Sequence, residues 1–420
     1  MIDIKFFREH PEIVKTAVRN RQMNIDIDEV IKIDATRRKL QKEVDDKRSL
    51  KKQAGEKIAQ AASGEKKKLI AEMKVFDKEQ DKLEEKLSKI EEKFQKLFSQ
   101  IPNIPLADVP VGADETQNVI LREVGKPKEF SFKPKSFYEL GETLGIIDTG
   151  RAAKVSGSRF GYILGRGAML ELALIRYALD ALQKHGFILV LPPVMVREEV
   201  MWAMGFLDRH ADEIYKIPED GLRLVGTSEQ SLAPMHKDEI FDEKDLPRRY
   251  AGFSTCFRRE SGSYGKDTKG ILRVHQFNKL EMVSIANPKE SNDEHELMLS
   301  IEESLMQGLN LPYRVARICT GDMGTPSART WDIETWFPSE GRYRETHSTS
   351  TTTDFQSRRL NIRYKSKQVK GLDFVHLLNG TAFAERPLLA ILENYQNEDG
   401  SVAVPEVLIP YCGFEKIAKA

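Results

Sequence analysis

The segment from residue 28 to residue 100 constrains the fold of this chain more than any other part of its sequence. It contains no proline, has glycine at only two positions and is dense in lysine and glutamate. Its second half carries apolar side chains, interrupted once by glutamine, at spacings of three and four: Met73, Phe76, Gln80, Leu83, Leu87, Ile90, Phe94 and Leu97. This repeat predicts a long helix whose single apolar stripe pairs with a second helix, as in a coiled coil.

The first half of the segment carries a weaker form of the same repeat. Val30, Ile33, Leu40, Val44, Ala54 and Ile58 fit, whereas Arg37, Lys47 and Lys51 interrupt it. Ser63 and Gly64 lie between the halves and are suited to a turn. We expect an antiparallel helical hairpin with arms of about 33 residues, which at about 1.5 Å per residue reach roughly 50 Å. Because the apolar stripe is narrow, the hairpin is predicted to project into solvent.

Composition and charge set broad limits on function. The chain has 420 residues, enough for two or three domains, and equal numbers of basic and acidic side chains, 65 each. Net charge alone therefore predicts no nucleic-acid partner. Residues 38–98, however, contain 18 Lys and Arg against 13 Asp and Glu. Taken alone, this excess is explained more simply by an ordinary solvated coiled-coil surface than by a binding surface.

The cysteines and the apolar runs indicate the cellular environment. Cys256, Cys319 and Cys412 are widely spaced and form no C-x-x-C pair, so neither a disulfide framework nor a zinc site is expected. Charged residues among the first apolar ones argue against a signal peptide. No run of about 18 apolar residues is present, so no membrane span is expected. A reducing, cytoplasmic location is the natural expectation.

The block from Phe253 to Ile285 carries the most specific chemistry. It reads F-R-R-E, then a polar loop rich in glycine and lysine, then R-V-H-Q-F-N-K-L-E-M. We expect two antiparallel strands joined by a long loop. Strand side chains alternate faces, which places Arg258 with Glu260, and Arg273 with Phe277 and Glu281. Guanidinium groups suit phosphates, a ring suits a purine, and carboxylates suit an ammonium group or a metal ion, so this surface fits ATP beside an amino acid. A half-buried hairpin with a charged outer face is the simpler alternative, but the apolar residues do not alternate cleanly.

These residues resemble motif 2 of the class II aminoacyl-tRNA synthetases, F-R-x-E followed by R-x-x-x-F, and H-Q-F-x-K-x-E-M resembles the seryl-tRNA synthetases. Other blocks resemble that family in the same order along the chain. They are M-I-D-I-K-F-F-R-E-H-P-E-I-V-K at the start, I-P-N-I-P-L-A-D-V-P-V-G, L-V-G-T-S-E, and L-N-G-T-A-F-A-E-R-P-L-L-A-I-L-E-N-Y-Q.

The resemblance implies an α+β fold, in which an N-terminal antiparallel coiled-coil hairpin precedes a class II catalytic domain on an antiparallel β-sheet. We expect a tRNA-binding helical arm at residues 1–100, a proline-containing linker at 101–136 and the catalytic domain at 137–420. A helix at Gly167 to Lys184, a strand at Phe187 to Leu191 and Pro192-Pro193 resemble motif 1, which in this class forms a homodimer interface. A plain core helix and strand is the alternative.

The same resemblance assigns roles to the residues of the ATP site. Arg258 would bind the α-phosphate and the substrate carboxylate, Glu260 the adenine amino group, Phe277 the purine face and Arg273 the γ-phosphate. Arg259 and Val274 belong to the same ATP-binding block. Glu345 and Ser348 would coordinate Mg²⁺, with Thr346 and His347 between them counted among the ATP-binding residues. His347 replaces the usual serine and is interpreted as a local variation, because no partner histidine lies at ligand spacing.

The serine site would be formed by the loop Thr227-Ser228-Glu229 with Glu281 and Thr381. Thr227 and Glu229 are two apart, so an extended backbone would point both the same way; a helix N-cap is the alternative use of this loop. The last motif departs from the family pattern N-G-S-G-x-A-x-G-R, because the chain is one residue shorter before Arg386. Arg258 and Arg386 are the two expected catalytic residues, and Arg386 would cover the other face of adenine and touch the γ-phosphate. We still expect activity, since a long side chain such as that of Arg386 can reach the ATP site from a turn that is one residue shorter.

The implied function is ATP-dependent activation of L-serine to seryl-adenylate and transfer of serine to the 3′ end of tRNA(Ser), with tRNA(Sec) as a further candidate substrate. The helical arm would bind the tRNA. Two other hypotheses stay open. A related ligase could load an amino acid onto a carrier protein, although such relatives lack the long arm. A catalytically inactive paralogue could serve as a binding protein, supported only by the altered last motif.

Overall fold

The computed structural model describes residues 1–60, 62–208, 211–261, 270–366 and 371–419. Contacts divide the chain into two units, Asp3–Pro102 and a second unit from Asn103 onward that also includes Met1–Ile2. The first unit corresponds to the arm predicted at residues 1–100. Its helices are α1 (Ile4–Glu9), α2 (Pro11–Asn20), α3 (Ile27–Gln60) and α4 (Ser63–Phe98).

Helices α3 and α4 form the predicted antiparallel hairpin. Ion pairs join the start of α3 to the end of α4, as in Glu29 with Lys93, and the end of α3 to the start of α4, as in Lys51 with Asp77. The two helices contain 34 and 36 residues. The turn predicted at Ser63 and Gly64 is wrong, because α4 already begins at Ser63. Residue 62 belongs to neither helix, and residue 61 lies outside the described residues.

The basic residues that interrupt the repeat of α3 are accommodated by the aromatic rings of α4. The Arg37 guanidinium lies 4.7 Å from the centre of the Phe94 ring, and the Lys47 ammonium lies 4.6 Å from that of Phe76. A cation over an aromatic face is attracted by the ring, and its aliphatic stem covers apolar surface. These contacts explain how a weak apolar repeat still pairs with a strong one.

The second unit is built on strands and shorter helices. Its strands are β1 (Val119–Val124), β2 (Ile147–Asp148), β3 (Tyr162–Ile163), β4 (Ile188–Val190), β5 (Met195–Arg197), β6 (Lys216–Ile217), β7 (Leu222–Leu224), β8 (Ile240–Asp242), β9 (Arg248–Phe257), β10 (Gln276–Ala286), β11 (Tyr313–Arg317), β12 (Arg329–Phe337), β13 (Arg342–Thr353), β14 (Arg363–Lys365), β15 (Leu372–Phe374), β16 (His376–Phe383), β17 (Val402–Ala403) and β18 (Lys416–Ile417). Its helices are α5 (Phe137–Thr143), α6 (Thr149–Ser156), α7 (Gly165–Lys184), α8 (Glu198–Ala203), α9 (Glu229–Leu232), α10 (Ser291–Gly308), α11 (Phe355–Leu360), α12 (Glu385–Asn394) and α13 (Ile409–Cys412).

One eight-stranded sheet organises this unit, in the order β1-β11-β12-β13-β16-β10-β9-β4. Every neighbouring pair in it is antiparallel except β4, which runs parallel to β9. The linker predicted at 101–136 is therefore wrong in part. Residues 103–136 belong to the second unit, and β1 forms the edge strand of its sheet.

The two faces of the sheet have opposite character because side chains alternate along each strand. On β10, Leu280 and Met282 join the apolar core with residues of α7, α10 and α12, whereas Lys279 and Glu281 line a cavity on the other face. The predicted helix and strand are observed as α7 and β4, and Leu191 follows β4 directly. Large apolar side chains there remain exposed by 44–76%: Met169, Leu172, Ile188, Leu189 and Leu191.

Candidate active site

Strands β9 and β10 form the predicted antiparallel pair at the centre of the site. Their register places Phe277 opposite Cys256 and Glu281 opposite Gly252. Both strands are shorter than predicted, because β9 ends at Phe257 and β10 begins at Gln276. Arg258, Glu260 and Arg273 therefore lie beyond the strand ends, and Glu260 has a positive φ of 53°. The face argument thus holds for Phe277 and Glu281 and is wrong for these three residues.

A cavity of about 450 Å³ collects most of the predicted site residues. Those lining it are Thr227, Glu229, Arg258, Glu260, Arg273, Val274, Phe277, Glu281, Glu345, Thr346, Ser348, Thr381 and Arg386. Most of the lining is polar or charged, and it includes two aromatic rings, Phe206 and the predicted Phe277.

Three predicted site residues direct their side chains elsewhere. The Ser228 hydroxyl donates to the Gly252 carbonyl at 3.0 Å, and the Arg259 guanidinium lies 5.9 Å from the centre of the Tyr215 ring. His347 is buried on the opposite face of β13, where its ring lies 5.5 Å from that of Phe383. Burial lowers the pKa of His347 to about 4, so a neutral ring is favoured there. These side chains are removed from the predicted ligand contacts.

Several charged groups of the cavity are paired with one another. Arg273 Nη1 lies 2.8 Å from Glu260 Oε2, and Arg386 Nη1 lies 3.1 Å from Glu345 Oε2. The Arg258 guanidinium lies 5.2 Å from the centre of the Phe277 ring.

The acidic end of the cavity joins the T-S-E loop to β10 and β16. Thr227 and Glu229 are not on an extended segment, because α9 begins at Glu229. The loop leads into a helix, but the N-cap residue Ser228 makes no side-chain capping hydrogen bond, and the side chains of Thr227 and Glu229 both line the cavity. Glu281 lies directly opposite Thr381 in the β10–β16 register. Burial, with the neighbouring Glu281, raises the pKa of Glu229 to about 7, and burial also raises the pKa of Glu281.

A second oxygen-rich group lies at Glu345 and Ser348. Asp332 is the register partner of Ser348, and its carboxyl also accepts a hydrogen bond from that residue. Burial and the nearby Glu345 raise the pKa of Asp332 well above its ordinary value. Burial also acts to raise the pKa of Glu345, but the Arg386 guanidinium outweighs it and holds that pKa below its ordinary value. Two carboxyl groups and a hydroxyl are the donors that Mg²⁺ prefers, so these residues fit that ion.

The shortened last motif still delivers its arginine. Arg386 is the second residue of α12, and its Nη1 donates to the Glu345 carbonyl at 2.8 Å within the cavity. Pro387 stands in the first turn of the helix, where no backbone donor is needed.

Among the lining residues that the sequence analysis missed, three bear on the chemistry of the cavity. Lys279 shares the strand face of Phe277 and Glu281, so the same period-two argument would have found it. Asp332 is placed by strand register, and Gln356 by the first turn of α11. The local sequence around Asp332 and Gln356 contains no motif or periodicity that predicts their place in the cavity.

Comparisons with known proteins agree with this architecture. Residues 215–395 match the family described as tRNA synthetase class II core domain (G, H, P, S and T), so the second unit contains a class II aminoacyl-tRNA synthetase core. Residues 1–105 match the family described as seryl-tRNA synthetase N-terminal domain.

Full-length relatives narrow the class to one family. A serine–tRNA ligase of Thermodesulfovibrio yellowstonii is 44% identical and the match covers 99% of this chain and 100% of that protein. One of Thermobifida fusca is 45% identical, with 98% of each chain covered. The crystal structure of seryl-tRNA synthetase from Pyrococcus horikoshii complexed with ATP is similar at a TM-score of 0.91, with 41% identity and 100% of both chains covered. The chain belongs to the seryl-tRNA synthetase family.

Proposed function

We propose that this protein activates L-serine with ATP and transfers it to the 3′-terminal adenosine of tRNA(Ser), with tRNA(Sec) as a further candidate substrate. The observation that carries the proposal is the single cavity that joins the Thr227–Glu229–Glu281–Thr381 group to Arg258, Phe277 and Arg386. A full-length relative bears the name of this activity, and a similar solved structure holds ATP.

In the first step, a serine carboxylate oxygen attacks the α-phosphorus of ATP, and pyrophosphate leaves. Arg258 would bind both the carboxylate and the α-phosphate, where negative charge increases in the transition state. Phe277 and Arg386 would hold the two faces of adenine, and Glu260 would accept from its amino group. Arg273 would release Glu260 and bind the γ-phosphate.

Glu345 and Ser348 would hold Mg²⁺, and Asp332 beside them adds a third oxygen donor. A bound Mg²⁺ would neutralise phosphate charge during the reaction. In the second step, the ribose hydroxyl of the tRNA attacks the seryl carbonyl, and AMP leaves. No protein nucleophile is required, because the tRNA supplies it.

The helical arm would bind the sugar-phosphate backbone of the tRNA. The basic excess of residues 38–98 suits phosphate contacts, and recognition by shape suits double-helical RNA, whose base edges lie in a deep, narrow groove. On α3, Arg38 and Lys42 lie with Gln41 and Asp45 in a shallow groove and would add to such contacts. Since charging of this tRNA serves translation, we propose a cytoplasmic location. Among the described residues no helix is long and apolar enough to cross a membrane.

A homodimer is proposed through α7 and β4. Large apolar side chains are exposed on α7, on the edge strand β4 and at Leu191 directly after it, and exposed apolar surface of this kind suits an interaction site. A second copy of this chain is the partner that the motif-1 resemblance implies.

Amino-acid-dependent ATP–pyrophosphate exchange tests the proposed chemistry. Serine should support exchange at least about a hundredfold better than alanine, because alanine leaves buried hydroxyl-reading groups unpaired. Threonine should also be far weaker than serine. Equal exchange with another amino acid would contradict the assignment, and exchange without charging of total tRNA would favour the carrier-protein alternative.

A further inference from the structure

Lys279 is a buried cation at the acidic end of the cavity. Its residue exposure is 8%, and Nζ lies 2.6 Å from Glu281 Oε2. Nζ also donates to Thr227 Oγ1 at 3.3 Å. Lys279 therefore touches one residue from β10 and one from the T-S-E loop, both of which are proposed to bind serine.

The charges of Glu229, Glu281 and Arg258 balance only when Lys279 is included, because burial raises the pKa of the nearby Glu302 well above its ordinary value and favours its neutral form. Glu229 and Glu281 contribute two negative charges when ionised, and Lys279 and Arg258 contribute two positive ones. Serine enters with one ammonium and one carboxylate, so the loaded site is neutral overall. Without Lys279 the loaded site would hold a buried excess negative charge, which is costly in a low-dielectric environment.

We infer that Lys279 is a positioning residue that determines which carboxylate reads each group of serine. This inference rests on the proposed function. The Lys279 ammonium already neutralises the charge of the Glu281 carboxylate. Glu281 would therefore bind the uncharged serine hydroxyl, together with Thr381, which lies opposite it. Glu229 then remains as the partner of the serine ammonium. Without Lys279, Glu229 and Glu281 would compete for the serine ammonium, and discrimination in favour of the serine hydroxyl would weaken.

The inference has a consequence for pH dependence. Glu229 faces Glu281 and Lys279 from β10, Arg258 after β9 and Gln356 from α11. Its pKa of about 7 is raised by burial and by Glu281 and is lowered by Lys279 and Arg258. The serine ammonium binds the ionised carboxylate, so the KM for serine should fall as pH rises through about 7. Removal of the Lys279 charge should raise the pKa of Glu229 further and move this fall to higher pH.

Steady-state pyrophosphate exchange by the full-length Lys279→Met variant tests the inference. At pH 7.5 its KM for serine should rise at least about tenfold, while kcat changes less than about threefold and the KM for ATP stays within about twofold. The serine-over-alanine ratio of kcat/KM should fall, and the pH midpoint of the serine KM should rise by about one unit. Lys279→Arg should restore part of the serine KM, since it keeps the charge.

Lys126→Met is the matched control, because Lys126 is exposed and does not line the cavity. It should leave all of these values unchanged. Lys279→Gln serves as a second uncharged variant with a polar end, so the test does not depend on the folding of one substitution. An unchanged pH midpoint and serine-over-alanine ratio in both uncharged variants would overturn the role of Lys279. If the unsubstituted enzyme shows no serine-dependent exchange, the proposed function itself fails instead.

Discussion

Arg258 is the residue on which the proposed activation step depends most. Its guanidinium lies over Phe277 and its Nε donates to the Gly226 carbonyl at 3.2 Å. Because it would contact the charge that forms at the α-phosphate, Arg258→Ala should lower serine-dependent exchange by at least about a hundredfold. Since Arg258 is exposed, the Tm should change little.

Arg259→Ala is the natural control for that measurement. Arg259 has the same side chain at the next position, is also exposed, and lies over Tyr215 outside the cavity. Its loss should leave exchange within about threefold of the unsubstituted enzyme. Equal effects of the two substitutions would show that the phosphate site is misplaced.

At the residue scale, the sequence predicts side chains inside regular strands better than those beyond their ends. Period-two alternation correctly groups Phe277 with Glu281. The same alternation places Lys279 on their face, although the sequence analysis does not include Lys279 among the site residues. It misassigns Arg258 and Glu260, because β9 has ended and the backbone has left the extended conformation. Alternation is a property of the pleated backbone and carries no information where the pleat stops.

At the scale of elements, the apolar surface on α7 and β4 makes a prediction about assembly. Leu172 on α7 is 57% exposed, and a buried carboxylate at a dimer interface would lack a partner. Leu172→Glu should therefore shift the full-length protein from a two-chain mass towards a one-chain mass in light scattering at micromolar concentration.

Leu372→Glu provides the comparison for this experiment. Leu372 is 42% exposed on β15, which belongs to a separate three-stranded sheet. This change should leave the two-chain mass intact. A one-chain mass for the unsubstituted protein, or no response to Leu172→Glu, would contradict the proposed interface.

The pairing of elements explains why part of the site cannot be predicted from local sequence. Glu281 meets Thr381, and Asp332 meets Ser348, only through the register of β10 with β16 and of β12 with β13. A bulge at Ile333 to Glu334 further shifts that second register, so that Glu345 and Ser348 lie near the same carboxyl. Register between strands is fixed by packing across the sheet, so a motif resemblance can suggest these neighbours but periodicity cannot.

At the scale of the whole molecule, the division into two units is visible in composition. The proline-free, charge-dense segment differs so strongly from the remainder of the chain that the predicted boundary at 100 lies two residues from the observed one at Pro102. Composition does not distinguish whether residues 103–136 form a linker or part of the second unit, because prolines occur both in linkers and at the edges of domains. The pairing of β1 with β11, which is distant in sequence, assigns this stretch to the second unit.

The separation of the units allows the arm to be shortened without altering the cavity. Lys47 Nζ lies 2.8 Å from Glu79 Oε2, so replacing residues 48–78 by a short Gly–Ser turn joins two points that are already adjacent on α3 and α4. The buried side chains Val44, Leu87 and Phe94 near the base are retained. The removed stretch contains nine basic and four acidic side chains, an excess equal to that of residues 38–98 as a whole.

The shortened protein should separate the two half-reactions. Serine-dependent exchange should stay within about twofold and the Tm of the second unit should persist, whereas kcat/KM for tRNA charging should fall at least about a hundredfold, because phosphate contacts supply most of the affinity. In the full-length enzyme, the double variant Lys66→Gln/Lys67→Gln should reduce the dependence of log tRNA affinity on log salt by up to about two, without changing exchange. If the shortened protein charges tRNA as well as the intact chain does, the arm is not the tRNA-binding element and the carrier-protein alternative gains support.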